Sequence, residues 1–267
     1  MGKDKPAVVE GLRLLRELGV EVAAVVGAEN ASPTYGASLV ESARALGIPT
    51  VGDATLYELL ERPDSDRKAA GLDLRGLDVV ISYLFWKRIQ RPAIAAPRLG
   101  CINFHAAPLP DFRGVAGYSI AVLEGLPAWG VSAHFVDDGF DTGDIIRVDR
   151  FAIDPERETA WSLEKLSMRK MLALFGDLVR DLLQGKTLPR APQDQGNARY
   201  IRREEFESLR RIAPGDTAAQ IDRKIRAFWF PPYGGACIER DGREYTVIDR
   251  ALLERIGELY RAAERAR

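Results

Sequence analysis

Two short apolar runs constrain this chain most: Leu77–Tyr83 (LDVVISY) and Gly100–His105 (GCINFH). A strand that is hydrophobic on both faces must be covered on both faces, which is the situation in a parallel sheet flanked by helices. The rest of the first half supplies the alternation such a sheet needs. Val8, Leu12 and Leu15 share one helical face, and Gly19 ends that helix. Glu21–Val26 reads as a strand, Tyr35–Leu46 as a helix, Pro49–Gly52 as a brief strand and Thr55–Glu61 as a short helix. Arg62–Gly76 is a polar surface loop. The βαβ pattern predicts an α/β fold.

The second half continues with a helix at Val115–Leu123, strands at Gly130–Val136 and Asp144–Phe151, and a long helix over Glu158–Gln184. The stretch after it, QGKTLPRAPQDQGNA, is rich in Pro, Gly and Gln and reads as a linker. Residues 1–184 are therefore expected to form the main domain, 185–199 the linker, and 200–267 a small C-terminal α+β domain. That tail holds a helix at Thr217–Phe228, an FPPYGG segment, a hairpin turning at Asp241-Gly242 and a last helix, Leu252–Arg265. One element is missing from the pattern. The chain opens on a helix where a central strand is expected, and an absent first strand would leave unpaired backbone beside its neighbour.

Composition excludes several functions. The 38 basic and 39 acidic residues nearly cancel, which argues against coating nucleic acid or an anionic surface. No apolar run approaches the ~20 residues that span a bilayer, and MGKDKPAVVEGL has no signal-peptide core. Cys101 and Cys237 read as buried free thiols of a cytoplasmic protein. With two cysteines and two histidines, a structural zinc site is not expected, and no metal is assigned. Neither GxGxxG nor GxxxxGK[ST] occurs, so the common phosphate-binding loops lack support.

Two segments carry candidate chemistry. In NFHAAPLPDFRG, Asn103 and His105 lie two apart at the carboxyl end of a strand, so their side chains point the same way. Open α/β sheets bind ligands at such ends. In VDDGFDTGDI, acidic residues and glycines fill a loop between two strands, with a spacing that does not follow the EF-hand. Each residue also has a structural reading. His105 can be a satisfied core histidine, and His134 a structural or supporting one. Asp137, Asp138 and Asp144 can simply shape the loop. Arg113 can bind a phosphate or pair with a nearby carboxylate.

Asn103-x-His105, Leu109-Pro110-Asp111-Phe112-Arg113-Gly114 and Asp141-Thr142-Gly143, in that order, resemble the formyltransferases that use N10-formyltetrahydrofolate. The resemblance implies a Rossmann-like, mostly parallel sheet with flanking helices. It implies Asn103, His105 and Asp141 as the catalytic positions. It implies a folate site along Tyr83, Leu84, Phe85, Trp86 and Ile89 and under Val136, Asp137, Gly139 and Phe140. An acceptor substrate would meet Arg113, Gly114, Phe228, Trp229 and Tyr233. The tail from Ile201 carries 14 Lys and Arg against 12 Asp and Glu, weakly basic for a tRNA-binding appendage. Its aromatic stretch RAFWFPPYGGA is similar to that of the nucleotide-sugar N-formyltransferases, where rings could stack on a base or plug an interface. The acceptor expected is thus the amine of a nucleotide-linked deoxyamino sugar. Methionyl-tRNA formyltransferase and formyltetrahydrofolate hydrolase are the alternatives. The apolar edge of the tail hairpin suits a homodimer.

Overall fold

The computed structural model describes residues 1–27, 38–69, 71–194, 196, 199–200 and 202–265. In chain order the elements are α1 (Pro6–Glu17), α2 (Leu39–Ala45), α3 (Asp53–Leu60), β1 (Lys68–Ala69), β2 (Leu72–Asp73), β3 (Val80–Tyr83), α4 (Arg91–Ala95), β4 (Cys101–His105) and β5 (Phe112–Arg113). There follow α5 (Gly117–Leu123), β6 (Ala128–Phe135), β7 (Ile145–Ala152), α6 (Ala160–Leu183), β8 (Arg199–Tyr200), α7 (Arg203–Leu209), α8 (Ala218–Phe228), β9 (Cys237–Arg240), β10 (Arg243–Thr246) and α9 (Arg250–Arg265). Of the helix expected at 35–46, residues 35–37 lie outside the described residues.

The two apolar runs become neighbouring strands. β3 and β4 pair in parallel, with Val80 opposite Cys101 and Tyr83 opposite Phe104. β4 then pairs antiparallel with β6, placing Asn103 opposite His134 and His105 opposite Ser132. The sheet order is β3-β4-β6-β7. Burial on both faces follows the sequence. Val80, Cys101 and Ile89 pack with Leu56, Leu59 and Leu60 of α3. Tyr83, Phe104 and Phe175 meet ring to ring, at centroid distances of 5.0–5.7 Å.

The position where the sequence pattern expects a first strand is partly filled. The Met1 amine donates to the Ile81 carbonyl at 2.7 Å, and the Tyr83 N–H donates to the Met1 carbonyl at 2.9 Å. The Gly2 N–H donates to the Val26 carbonyl at 2.9 Å. Two residues thus satisfy backbone groups that the sequence pattern left unpaired. The strands expected at 21–26 and 49–52 shrink to one parallel bridge between Val25 and Thr50. The loop at 62–76 holds the small β1–β2 hairpin.

The chain forms two compact units, and they divide it differently from the expected 1–184, 185–199 and 200–267. Unit one comprises Met1–Arg113, Gly130–Arg150 and Leu166–Arg199. Unit two comprises Gly114–Trp129, Phe151–Lys165 and Tyr200–Arg267. The cause is packing between elements distant in sequence. In unit two, α5 packs against α8, which carries a Thr217/Gln220 capping box. In unit one, Ala191 and Gln193 of the expected linker are tied into the domain. Ala191 exchanges two backbone hydrogen bonds with Ile145 of β7, at 2.8 and 3.0 Å, and Gln193 is buried. Linker residues 195, 197 and 198 lie outside the described residues.

Candidate active site

β4 delivers Asn103 and His105 to one side of the sheet, as their spacing of two requires. The antiparallel partner β6 sets His134 directly opposite Asn103. The loop between β6 and β7 brings Asp141 against all three. Asn103 Nδ2 lies 3.0 Å from His134 Nε2 and 3.4 Å from Asp141 Oδ1. Asp141 Oδ2 stands 3.6 Å from His105 Nδ1, and its Oδ1 stands 3.5 Å from His134 Nε2. Residues read separately from two motifs therefore form one cluster.

Hydrogen-bond directions follow from the partners. Carbonyls only accept, so His134 Nδ1–H donates to the Phe135 carbonyl at 2.7 Å and His134 Nε2 accepts from Asn103. Ser82 Oγ donates to Asn103 Oδ1 at 2.7 Å, which orients the amide with its NH₂ toward Asp141. One Asn103 hydrogen is thus committed to His134. The other makes only the long contact to Asp141, and an incoming oxyanion could take it. His105 Nε2–H donates to the Phe112 carbonyl at 3.1 Å, leaving Nδ1 facing Asp141. Burial pushes the His105 imidazole below its ordinary pKa, and Asp141 pulls against that shift. A neutral ring with a bare Nδ1 beside a carboxylate is a base ready to take a proton.

The loop's glycine has a steric cause. A Cβ on Gly143 would stand 2.0 Å from the Phe135 carbonyl oxygen, so any side chain there would push the loop off β6. Asp141 has φ of +55°, a left-handed conformation uncommon for a non-glycine residue. Asp137 shapes the same loop, accepting from the Gly139 N–H at 3.0 Å and from Thr142 Oγ1 at 2.6 Å.

The two segments expected to hold folate face each other. The Arg91 guanidinium pairs with the Asp138 carboxylate at 2.8 Å, and Arg88 donates to the Asp138 carbonyl. Their side chains divide sharply by environment. Tyr83 is core, with its phenol pKa pushed up by burial. Ile89 is buried, and Phe85 and Val136 pack against the same apolar cluster. Leu84 has φ of +58°, while Trp86 and Phe140 are exposed. Only Trp86 and Phe140 of this set could offer a large apolar surface to a ligand.

The acceptor residues are equally divided. Arg113 is buried and donates to Gln193 Oε1 at 2.8 and 3.2 Å. Gly114 has φ of +77° and lies against the Tyr200 ring. Phe228 is 2% exposed and packs on Phe206. Trp229 belongs to the cluster of Ile225, Ala236 and Leu252. Tyr233, at 62% exposure, is the one ring of the three open to solvent. Among the described residues no group of three or more His, Cys, Asp or Glu could hold a metal ion, and no helix is long and apolar enough to cross a membrane.

Sequence reasoning undervalued three residues. His134 touches both Asn103 and Asp141, and only its alternation within VSAHFV hinted at this. Ser82 sits in an apolar run and gave no signal. Gln193 lay in a polar stretch read as linker. Cys101, a conceivable nucleophile by position, is buried with its thiol pKa pushed up to about 12 by burial, which leaves no thiolate to react.

Residues 11–171 match the formyl transferase family. The chain belongs to that family. It is 37% identical over 153 residues to a methionyl-tRNA formyltransferase of Syntrophomonas wolfei, covering 57% of this chain and 47% of that one. It is 32% identical over 171 residues to a GDP-perosamine N-formyltransferase of Brucella melitensis, covering 64% of each. The chain thus spans about half to two thirds of the length of these relatives. Its fold is similar to that of an N-formyltransferase from Helicobacter canadensis in complex with folinic acid and dTDP-3-aminofucose, with a TM-score of 0.71, 21% identity, and coverage of 90% of this chain and 83% of that one.

Proposed function

We propose that the protein is an N-formyltransferase that moves a formyl group from N10-formyltetrahydrofolate to the amine of a nucleotide-linked deoxyamino sugar. The observation that carries the formyl-transfer reading is the convergence of Asn103, His105 and Asp141 within 3.4–3.6 Å contacts at the carboxyl end of β4. A neutral amine attacks the formyl carbon, and the carbonyl oxygen becomes an oxyanion. The loosely held Asn103 N–H is the donor placed to stabilise it. The attacking nitrogen becomes cationic and gives its proton to the His105–Asp141 pair. Breaking the bond to folate N10 then returns the electrons to that nitrogen, which takes up the proton held by the pair. No covalent enzyme intermediate is needed.

The folate groove would lie between the segments that Arg88, Arg91 and Asp138 join, with Trp86 and Phe140 as its exposed aromatic faces. The sugar-nucleotide acceptor is supported by the near-neutral tail and by the aromatic stretch ending at the exposed Tyr233. It is also supported by likeness to the Brucella and Helicobacter proteins. The 37% identity to a methionyl-tRNA enzyme favours a second reading, transfer to charged initiator tRNA. An acceptor panel separates them. N10-formyltetrahydrofolate is supplied alone, with charged initiator tRNA, and with nucleotide-linked 3-amino and 4-amino sugars. Turnover with one sugar only is expected. Turnover with tRNA, strongly weakened by salt, establishes the second reading. Formate release without any amine establishes a hydrolase.

A further inference from the structure

We infer that Gln193 is a positioning residue that holds the Asp141 loop in its active shape, using Arg113 as a buried anchor. This rests on the reading of Asp141 given above. Gln193 Nε2 donates to the Asp141 carbonyl at 3.0 Å and to the Gly143 carbonyl at 2.6 Å. Its Oε1 accepts from Arg113 Nη2 at 2.8 Å and from Arg113 Nε at 3.2 Å. A primary amide has two N–H donors and two acceptor lone pairs, and all four are used here. Both side chains are 8% exposed, so neither end is satisfied by bulk water.

The orientation of the amide is fixed by chemistry. The guanidinium has only donors, so it must face the oxygen. The two carbonyls have only lone pairs, so they must face the NH₂. A flipped amide would set donor against donor and acceptor against acceptor. The two carbonyls it grips flank Thr142 and include that of Asp141 itself, whose left-handed backbone needs support from outside the loop. The clamp fixes the backbone at the residue whose carboxylate meets Asn103, His105 and His134.

Glutamate at 193 separates this role from simple packing. Gln193→Glu keeps the size and the pairing with Arg113, and strengthens it by charge, but removes both donors to the loop. With N10-formyltetrahydrofolate and the acceptor that the panel identifies, kcat is expected to fall about 10–100-fold, because small displacements of a reacting group are costly. KM for the folate is expected to stay within about twofold. A second readout needs no substrate. The chain has two histidines, so the ring-nitrogen NMR signals of His105 and His134 can be assigned by single substitution. In Gln193→Glu the His105 signals should move as the Asp141 carboxylate leaves Nδ1. If this variant folds poorly, Gln193→Asn, which keeps the amide but shortens its reach, is read in the same way.

Unchanged histidine signals with unchanged kcat overturn the clamp and leave the reading of Asp141 intact. Shifted signals together with a kcat loss support it. Shifted signals alongside full turnover by Asn103→Ala support the clamp and refute the assigned active site.

Discussion

The cluster on β4 and the aromatic stretch after α8 were equally conspicuous as sequence, and the structure treats them in opposite ways. At the first, polar side chains from three separated segments turn toward one another in a partly buried place. At the second, the aromatic residues enter different environments, although Phe230 and Tyr233 still meet ring to ring at 5.9 Å. Phe228 enters the core, Trp229 joins an apolar cluster and Tyr233 stays in solvent. Bringing polar groups together under cover costs desolvation, and a fold retains them there only if they satisfy one another or act on a ligand. Aromatic rings gain by burial with or without a ligand. A convergent polar motif is therefore stronger testimony to chemistry than an aromatic one of the same length.

The sharpest way to break this contrast is to remove one side chain from each region. Phe228→Ala should cost about 3–5 kcal/mol of stability through the cavity it leaves, measured by denaturant unfolding. A loss below 1 kcal/mol would mean that the ring is not core. Asn103→Ala should lower kcat by about 10²–10³ and leave folate KM nearly unchanged, since it removes a donor needed in the transition state. Stability should change far less than for Phe228→Ala. Full activity in this variant would put the active site elsewhere.

Smaller effects sharpen the comparison. Gly143→Ala should destabilise by about 1–3 kcal/mol, because its Cβ meets a strand carbonyl that cannot move cheaply. Thermal unfolding checks this, and a neutral result would show that the loop has another path off β6. His105 adds a pH signature. Its folded pKa lies below the ordinary ~6.5, so on acidification the unfolded chain takes the proton first. Its contribution to stability is complete above ~6.5 and is lost as pH falls through the lower folded value. Unfolding midpoints should begin to drop below ~6.5, and His105→Gln should flatten that step. Tyr233→Ala should change stability by less than about 0.5 kcal/mol, as surface substitutions do, while raising the acceptor KM. An unchanged KM would remove Tyr233 from the acceptor site.

The α/β architecture was legible because burial on two faces leaves a plain mark. LDVVISY and GCINFH had to be covered strands, and they are adjacent ones. Asn103 and His105 were legible because a spacing of two on a strand fixes a shared direction. The division into units was not legible, because the packing of α5 on α8 joins segments about a hundred residues apart that carry no pairing signal. Nor was the role of the 185–199 stretch. Its Pro, Gly and Gln content reports a chain without regular structure, and says nothing of the one described residue, Gln193, that it buries.

By itself, then, the amino-acid order determined the two covered strands at the centre of the sheet, the shared direction of Asn103 and His105 on one of them, and which polar groups were available for chemistry. Those are local properties, set by periodicity and backbone sterics. Tertiary structure decided that His134 and Ser82 orient Asn103, that Gln193 grips the Asp141 loop, and that Arg113 points inward. Each of these depends on hydrogen bonds between groups brought together only by folding. Such partners are chosen by distance and desolvation rather than by sequence spacing.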